Sequence, residues 1–306
     1  MIYFSEEFPE INSSFLFFRE MLPNKKNNIF QIILKTVFIF ILIGAIVFTS
    51  FMCNYFIQAH RQQNLIEERY KLWETAKNDL QTAKDREDTE IFRLLSEENN
   101  DFKAWLTVGS GKISYPVYQT FNNKYYSNHN FKRKNSRYGA LYFDANNTAT
   151  AESKDLNIII NGNNMPDGTL FGELDRFREL EFFKRNTTVI LYFKDKTATY
   201  KIFSVFLYDP EEDFGLFTND LSRQDKFTSW LNQINTRSYI KTDIKSTLGD
   251  RFLTLVTDSN EFKGAKTVVV ARRVRGDETT YVDTNNFSVN PKPILPKKLT
   301  KEDLKK

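Results

Sequence analysis

The sequence predicts a mainly β fold with added helices, preceded by a helix that crosses a membrane. An uncharged apolar run extends over residues 36–57, near the N-terminus. Further on, segments 188–193 and 197–208 are rich in β-branched and aromatic residues, as strands are. Aromatic residues make up 15% of the chain, which suits an aromatic-rich β core and argues against wholesale disorder.

Composition excludes several classes of function. The chain has 306 residues, enough for one or two domains, and a mild net charge of +4. No dense basic block is present, so no nucleic-acid partner is expected. Cys53, inside the apolar run, is the only cysteine, which rules out an intrachain disulfide, a cysteine metal cluster and any thiol nucleophile outside that run. The sequence has no phosphate-cradling glycine loop and no His-rich metal motif, and it predicts no cofactor.

Residues 29–57 are predicted to form a transmembrane helix, because about 20 apolar residues in a helix cross a bilayer. A cleavable signal peptide has a shorter apolar stretch that begins nearer the N-terminus. Four cationic residues precede the uncharged stretch 36–57 of this helix: Arg19, Lys25, Lys26 and Lys35. The bias of positive charge favours a single-pass protein of the cell membrane, with residues 1–28 cytoplasmic and the C-terminal domain extracellular.

Residues 58–99 are predicted to form a helical stalk with a charged break at 85–88. The apolar residues at helical spacing are Ile66, Tyr70, Trp73 and Leu80, and a second short helix follows from Ile91. Two interpretations stay open. A helical pair packed on the following domain is favoured over a coiled-coil dimer, since a coiled coil needs sustained heptads.

The later part of the chain contains a predicted β-hairpin, in which runs 252–257 and 267–271 flank a polar link with Gly264. A short strand over 156–160 and a helix over 220–234 are also predicted, the helix with Asn219 as its N-cap. The final segment, residues 276–306, is rich in proline and lysine and is predicted to be a disordered tail.

Several motifs, in this order, resemble those of the class B sortases, which are membrane-anchored cysteine transpeptidases of Gram-positive bacteria. The matching stretches are Tyr115-Pro116-Val117-x-Gln119, Tyr125-Tyr126-x-x-His129-x-Phe131, Gly139 to Asp144, Asn161 to Met165, and Thr254-Leu255-Val256-Thr257. The resemblance implies a sortase-like closed β-barrel over residues 100–275. It also implies that His129 is a structural residue, because the catalytic histidine of the family lies elsewhere.

The family's catalytic positions are substituted in this chain. In active members a cysteine follows the Thr-Leu-x-Thr strand, a histidine lies in the preceding loop and an arginine opens the second strand. The resemblance maps these positions onto Asp258, Asn163 and Lys266. A carboxylate is a weak nucleophile towards an amide, an amide side chain does not titrate near neutral pH, and lysine lacks the planar fork of arginine. No catalytic residue is therefore intact, and no transpeptidase activity is expected.

These residues instead suggest a binding groove. Asn163, Asn164, Thr257, Asp258 and Lys266 are its hypothetical members. The expected partner is a sorting-signal-like peptide, a cell-wall or pilin-like protein, or an active sortase. Two alternatives stay open: a transpeptidase or hydrolase that uses Asp258 and Lys266, and a structural component of the cell envelope.

One further hypothesis concerns the site alone: Asp258 and Lys266 form an ion pair across the hairpin. A metal at Asp258 and Asn163 is not favoured, because two oxygen ligands do not make a cage.

Overall fold

The computed structural model describes residues 28–82, 90–194 and 196–299. The chain divides into two compact units, Met1–Gln63 and Asn64–Lys306. Helix α1 (Asn28–Thr82) begins in the first unit and ends in the second. The predicted charged break at 85–88 and the segment 1–27 lie outside the described residues.

The first part of α1 is long and apolar enough to cross a membrane. Its apolar stretch has a mean hydropathy of 2.6, and apolar side chains from Phe30 to Ile57 are largely exposed. The hydroxyls of Thr36 and Thr49 donate to the carbonyls of Ile32 and Ile46 one turn earlier, so these polar groups are satisfied inside the helix. Such internal satisfaction is what a hydrocarbon environment demands.

The second unit contains a closed barrel of eight strands. The barrel strands are β1 (Phe102–Val108), β2 (Ile113–Tyr118), β3 (Leu141–Phe143), β4 (Asn157–Asn161), β5 (Thr188–Phe193), β6 (Thr197–Tyr208), β8 (Phe252–Asp258) and β9 (Lys266–Arg273). Their order around the barrel is β1-β2-β3-β4-β8-β9-β6-β5. Pairs β2/β3 and β4/β8 are parallel, and the other pairs are antiparallel. The closed barrel predicted from the sequence is confirmed, and closure leaves no strand of the barrel with an open edge.

The remaining elements lie between or after the barrel strands. They are α2 (Glu90–Glu98), a 3₁₀-helix (Leu174–Arg178), α3 (Leu180–Arg185), a second 3₁₀-helix (Pro210–Glu212), α4 (Gln224–Arg237) and a two-stranded sheet of β7 (Ile240–Lys241) and β10 (Ser288–Val289). Helix α4 packs Trp230 and Ile234 onto the outer face of the barrel, where they meet Phe252 and Val270.

The helical segments before the barrel pack onto it, as the favoured interpretation predicted. Trp73 is fully buried and its ring stacks on Trp105 of β1 with 4.6 Å between centroids. Phe92 and Leu95 of α2 belong to the same apolar cluster, together with Tyr118 of β2. This cluster fixes the part of α1 around Trp73 on the barrel wall.

Helix α4 begins later than the sequence predicted, at Gln224 and not at Asp220, and it ends at Arg237. The predicted cap is wrong, because the side chain of Asn219 donates to the carbonyl of Asn146. Asp220 accepts from the backbone N–H of Ser222 in a tight turn, which delays the helix.

The prediction of a disordered tail is wrong for residues 276–299, which are ordered within the second unit. Phe287 is only 3% exposed, and strand β10 pairs with β7. Asn290 donates from its backbone and side chain to the carbonyls of Tyr239 and Ser238. A few buried anchors therefore hold a segment whose composition alone resembles a linker. Residues 300–306 lie outside the described residues.

An ion cluster ties the start of this segment to the barrel. The carboxylate of Glu278 accepts from Arg272 at 2.7 Å and from Lys201 at 2.9 Å, and both cationic side chains are more than nine-tenths buried. The hydrogen bond from Arg272 lowers the pKa of Glu278 to about 2, with Lys201 adding to the effect and partial burial opposing it.

We predict that Glu278→Gln lowers the free energy of unfolding by about 2–3 kcal/mol, because two buried cations lose their counter-charge. The folded-state pKa lies below the ordinary value of 4.5. The contribution is thus complete above about pH 4.5 and is lost as pH falls towards 2. Denaturant titration followed by tryptophan fluorescence measures it. The matched control is Glu97→Gln, an exposed helical pair with Arg93, expected to cost under about 0.5 kcal/mol. Equal costs for the two variants would contradict the prediction.

Candidate functional site

The ends of β8 and β9 bring a carboxylate and an ammonium group together. Asp258 is the last residue of β8 and lies directly across the ladder from Lys266, the first residue of β9. Lys266 Nζ lies 2.5 Å from Asp258 Oδ1, and the side chains are 33% and 65% exposed respectively. The hypothesised cross-strand ion pair is therefore present. Its exposure limits its contribution to roughly 0–1 kcal/mol.

The loop after β4 is fixed beside this pair by close packing. The backbone N–H of Gly162 donates to the carbonyl of Val256 at 3.1 Å, which ties the loop to β8. A Cβ at Gly162 would lie 2.3 Å from Leu141 Cδ2 and 2.7 Å from Phe171 Cδ2. The sequence needs glycine there because two large side chains close over the backbone.

Asn163 acts as a clamp between loops. Its Nδ2 donates to the carbonyls of Ser127 at 2.9 Å and Arg137 at 3.1 Å. Both N–H groups of the amide are thereby used. The position that the resemblance assigns to a proton shuttle thus holds a side chain that joins the loop after β4 to the segment 127–137.

Asn164 is the amide that contacts the end of β8. Its Nδ2 donates to the backbone carbonyl of Asp258 at 3.0 Å and to Asp175 Oδ2 at 3.1 Å. The other carboxylate oxygen of Asp175 accepts from the hydroxyl of Thr267. Asp175 lies on the first 3₁₀-helix and was not predicted from the sequence, since no motif marks it.

The side chain of Thr257 is buried, and its membership of the groove stays a prediction. The residue is 2% exposed. Successive side chains of a strand point to opposite faces, so Thr257 points away from the face that carries Asp258. Its hydroxyl has no hydrogen-bond partner among the described residues. The five predicted groove residues therefore divide, with Asp258 and Lys266 exposed and Thr257 inside.

Tyr142 and two aromatic residues complete the surroundings of the ion pair. Burial raises the pKa of Tyr142 to about 12, and the negative charges of Asp258 and Asp144 contribute. The phenol therefore stays protonated well above neutral pH. On the other side, Tyr208 lies across the β6/β9 ladder from Lys266, and its ring meets the part-exposed ring of Phe217 at 5.5 Å.

His129 lies in an environment formed by its close neighbours. The chain has two histidines, and His129 stacks on Tyr125 while its Nδ1 lies 2.9 Å from that residue's carbonyl oxygen and 2.6 Å from Asn128 Oδ1. His129 therefore has the structural surroundings that the sequence predicted. In the described part of the chain, no group of three or more His, Cys, Asp or Glu residues is arranged to hold a metal ion.

Proteins of known family share the sequence and the barrel of this chain. Sortase B of Listeria monocytogenes is 30% identical over 169 residues, which cover 55% of this chain and 67% of that protein. The chain belongs to the class B sortase family. Among solved structures of that family, Clostridium perfringens sortase B is 30% identical with a TM-score of 0.56, covering 60% of this chain and 100% of that one. A Staphylococcus aureus sortase B–substrate complex, 21% identical, shares the fold with a TM-score of 0.62, covering 72% and 100% of the two chains.

The search against protein-family models gave no match. The class B assignment therefore depends on the relatives and on the shared barrel.

We predict that the ion pair is weakly coupled. A double-mutant cycle of Asp258→Ala, Lys266→Ala and the double variant, measured by denaturant unfolding, should give a favourable coupling of up to about 1 kcal/mol. The coupling should fall as salt is added, because both groups face solvent. Strictly additive costs at low salt would show that the contact contributes nothing.

We also predict that Asn163→Asp lowers the free energy of unfolding by about 2–3 kcal/mol near neutral pH, since a carboxylate would face two carbonyl oxygens without a donor. Protonation of the new carboxyl restores one donor, so the loss should shrink as pH falls. Asn146→Asp, on an exposed turn, is the matched control and should be nearly neutral. Thermal unfolding at several pH values measures both, and equal effects would contradict a clamping role.

Proposed function

We propose that this protein is a membrane-anchored, catalytically degenerate class B sortase homologue that binds a sorting-signal-like peptide without transferring it. The observation that carries the proposal is the exposed Asp258–Lys266 pair at the end of the hairpin. In active members this is the place of the thiol and the guanidinium. The only thiol of this chain, Cys53, belongs to the apolar part of α1.

Transpeptidation needs a nucleophile and a side chain that transfers protons, and the residues at the mapped positions are poorly suited to both roles. Attack on a peptide carbonyl needs a strong nucleophile, whereas the Asp258 carboxylate is weakly nucleophilic and already paired. Proton transfer needs a titrating side chain, whereas the amide of Asn163 does not titrate and has both N–H groups occupied. Losing nucleophile and base together typically removes many powers of ten in rate.

Binding places weaker demands on the same surface. The loop after β4 remains attached to β8 through Gly162 and Asn164. Tyr208 lies across the ladder from Lys266, and the ring of Phe217 that packs against Tyr208 is 41% exposed and offers an apolar surface to a ligand side chain. The S. aureus relative has been solved with a substrate, so a groove on this fold can hold one. A peptide carrying the sorting signal, free or as part of a wall or pilin-like protein, is the proposed ligand, and an active sortase is a further partner within the proposal.

The proposed location is the cell membrane of a Gram-positive bacterium, with the barrel facing the cell wall. Support comes from the apolar first part of α1 and from the cationic residues that precede or begin it. The division follows the sequence: a cytoplasmic segment 1–28, a membrane span 29–57, helical stalk 58–99 and a barrel domain 100–275. The ordered segment 276–299 is assigned to the barrel domain as well.

We predict that the full chain, in detergent micelles, binds sorting-signal peptides from a fluorescent library and releases no cleaved product. The triple variant Asp258→Cys, Asn163→His, Lys266→Arg should regain cleavage. The matched control is Asp258→Ser combined with Asn163→His and Lys266→Arg. It should bind the peptides but cleave them more slowly than the cysteine variant does. Fluorescence anisotropy measures binding, and mass spectrometry of the peptides measures cleavage.

Three outcomes would contradict the proposal. Cleavage by the unmodified chain would indicate a new mechanism around Asp258 and Lys266. Absence of binding by both the unmodified chain and the triple variant would favour a structural role in the envelope. Cleavage by the serine control equal to that of the cysteine variant would show that the site does not act through a thiol.

A further inference from the structure

A second charged cleft lies at the opposite end of the hairpin from Asp258. Strands β8 and β9 each begin or end at it, and their length of seven to eight residues separates the two places by roughly 20 Å. The cleft measures about 370 Å³ and is lined by Gly249, Asp250, Arg251, Arg273, Val274, Arg275 and Gly276. Nothing in the proposed peptide-binding activity uses these residues.

The cleft holds three guanidinium groups and a single carboxylate. That carboxylate is already engaged, because Asp250 accepts from Arg275 Nε at 2.9 Å and from Arg275 Nη2 at 2.7 Å. It also accepts from the backbone N–H of Thr247. Arg275 and Asp250 therefore neutralise each other, and the charges of Arg251 and Arg273 remain.

Arg251 and Arg273 converge on one backbone carbonyl group. Both direct Nη1 at the same atom, the carbonyl oxygen of Ala151, at 3.4 Å and 2.7 Å respectively. In the described part of the chain neither guanidinium has a carboxylate within ion-pair distance. One neutral carbonyl shared by two cations leaves most of their N–H donors without an acceptor among the described residues and does not offset their mutual repulsion.

The charges of Arg251 and Arg273 affect the pKa of a neighbouring carboxyl group. The pKa of exposed Glu152 is lowered, chiefly by its hydrogen bond and ion pair with Lys196, and further by the charges of Arg273 and Arg251. Glu152 is held by Lys196 and does not contact either arginine. The charges of the two arginines therefore extend to a carboxylate that is paired elsewhere.

We propose that this cleft binds a phosphate ester, with Arg251 and Arg273 as its main ligands and Arg275 at its rim. A tetrahedral phosphoryl group presents several acceptor oxygens in different directions, which suits two guanidinium forks approaching from neighbouring strands. The volume exceeds that of a bare phosphate and leaves room for a small alcohol substituent such as glycerol. The same chemistry is offered by an anionic phospholipid headgroup and by a soluble glycerol phosphate.

The test uses the full chain in phosphatidylcholine nanodiscs. Thermal unfolding is followed by tryptophan fluorescence, since all three tryptophans are buried in the second unit. Adding sn-glycerol 3-phosphate at constant ionic strength should raise the midpoint, because a ligand of the folded state stabilises it. Arg251→Gln should weaken the apparent affinity at least about tenfold. Arg223→Gln, a charge-matched change at an exposed arginine paired with Asp225, should leave it unchanged.

Arg251 is chosen because its bond to Ala151 is the longer one, so the 2.7 Å bond from Arg273 keeps the loop in place. The midpoint of Arg251→Gln without ligand should equal that of the control variant. A second arm measures hydrogen exchange at residues 249–251 and 273–276 in nanodiscs that contain phosphatidylglycerol.

If phosphatidylglycerol alone protects these residues from hydrogen exchange and Arg251→Gln removes the protection, the ligand is a lipid headgroup. Protection with soluble glycerol phosphate alone identifies a soluble ester. No stabilisation and no protection in either arm, or equal effects in Arg251→Gln and in the unmodified chain, would overturn the proposal.

Discussion

Strand β8 is the element on which the rest of this structure depends. It pairs in parallel with β4 and antiparallel with β9, so its ladder hydrogen bonds connect the two halves of the barrel. The same pairing brings the loop after β4 and the start of β9 to the C-terminal end of β8. Residues far apart in the sequence meet there because the strand between them is held on both sides.

This arrangement explains how the backbone can fix the geometry of the site independently of the side chains that it carries. The positions at 163, 258 and 266 are set by backbone hydrogen bonds and by packing around Gly162, which do not depend on the side chains at those positions. The side chain of Asn163 joins two loops through its hydrogen bonds, and Asp258 forms a weak surface ion pair with Lys266. The fold tolerates these side chains because each finds a partner locally. Function, in contrast, depends on which groups stand there.

The opposite end of the barrel is organised by buried charge. Lys201 and Arg272 are almost fully buried and are compensated by Glu278, which comes from the segment after the last barrel strand. Without this carboxylate the barrel would contain two unpaired cations, which is costly in a poorly hydrated interior. The C-terminal segment is therefore part of the folded unit. The neighbouring Arg251 and Arg273 have no such partner in the described chain, and this difference distinguishes a structural cluster from a candidate binding site.

The sequence by itself determined the apolar helix, the strands over 188–193 and 197–208 and the closed barrel, because these depend on local periodicity and on motifs whose order is preserved. Tertiary structure alone decided the rest. Thr257 is buried, and Asn163 and Asp175 take part in hydrogen bonds between loops. Residues 276–299 are ordered because a few buried anchors outweigh a linker-like composition. These outcomes depend on which distant groups supply hydrogen-bond acceptors, counter-charges and apolar contacts, and spacing along a chain does not specify them.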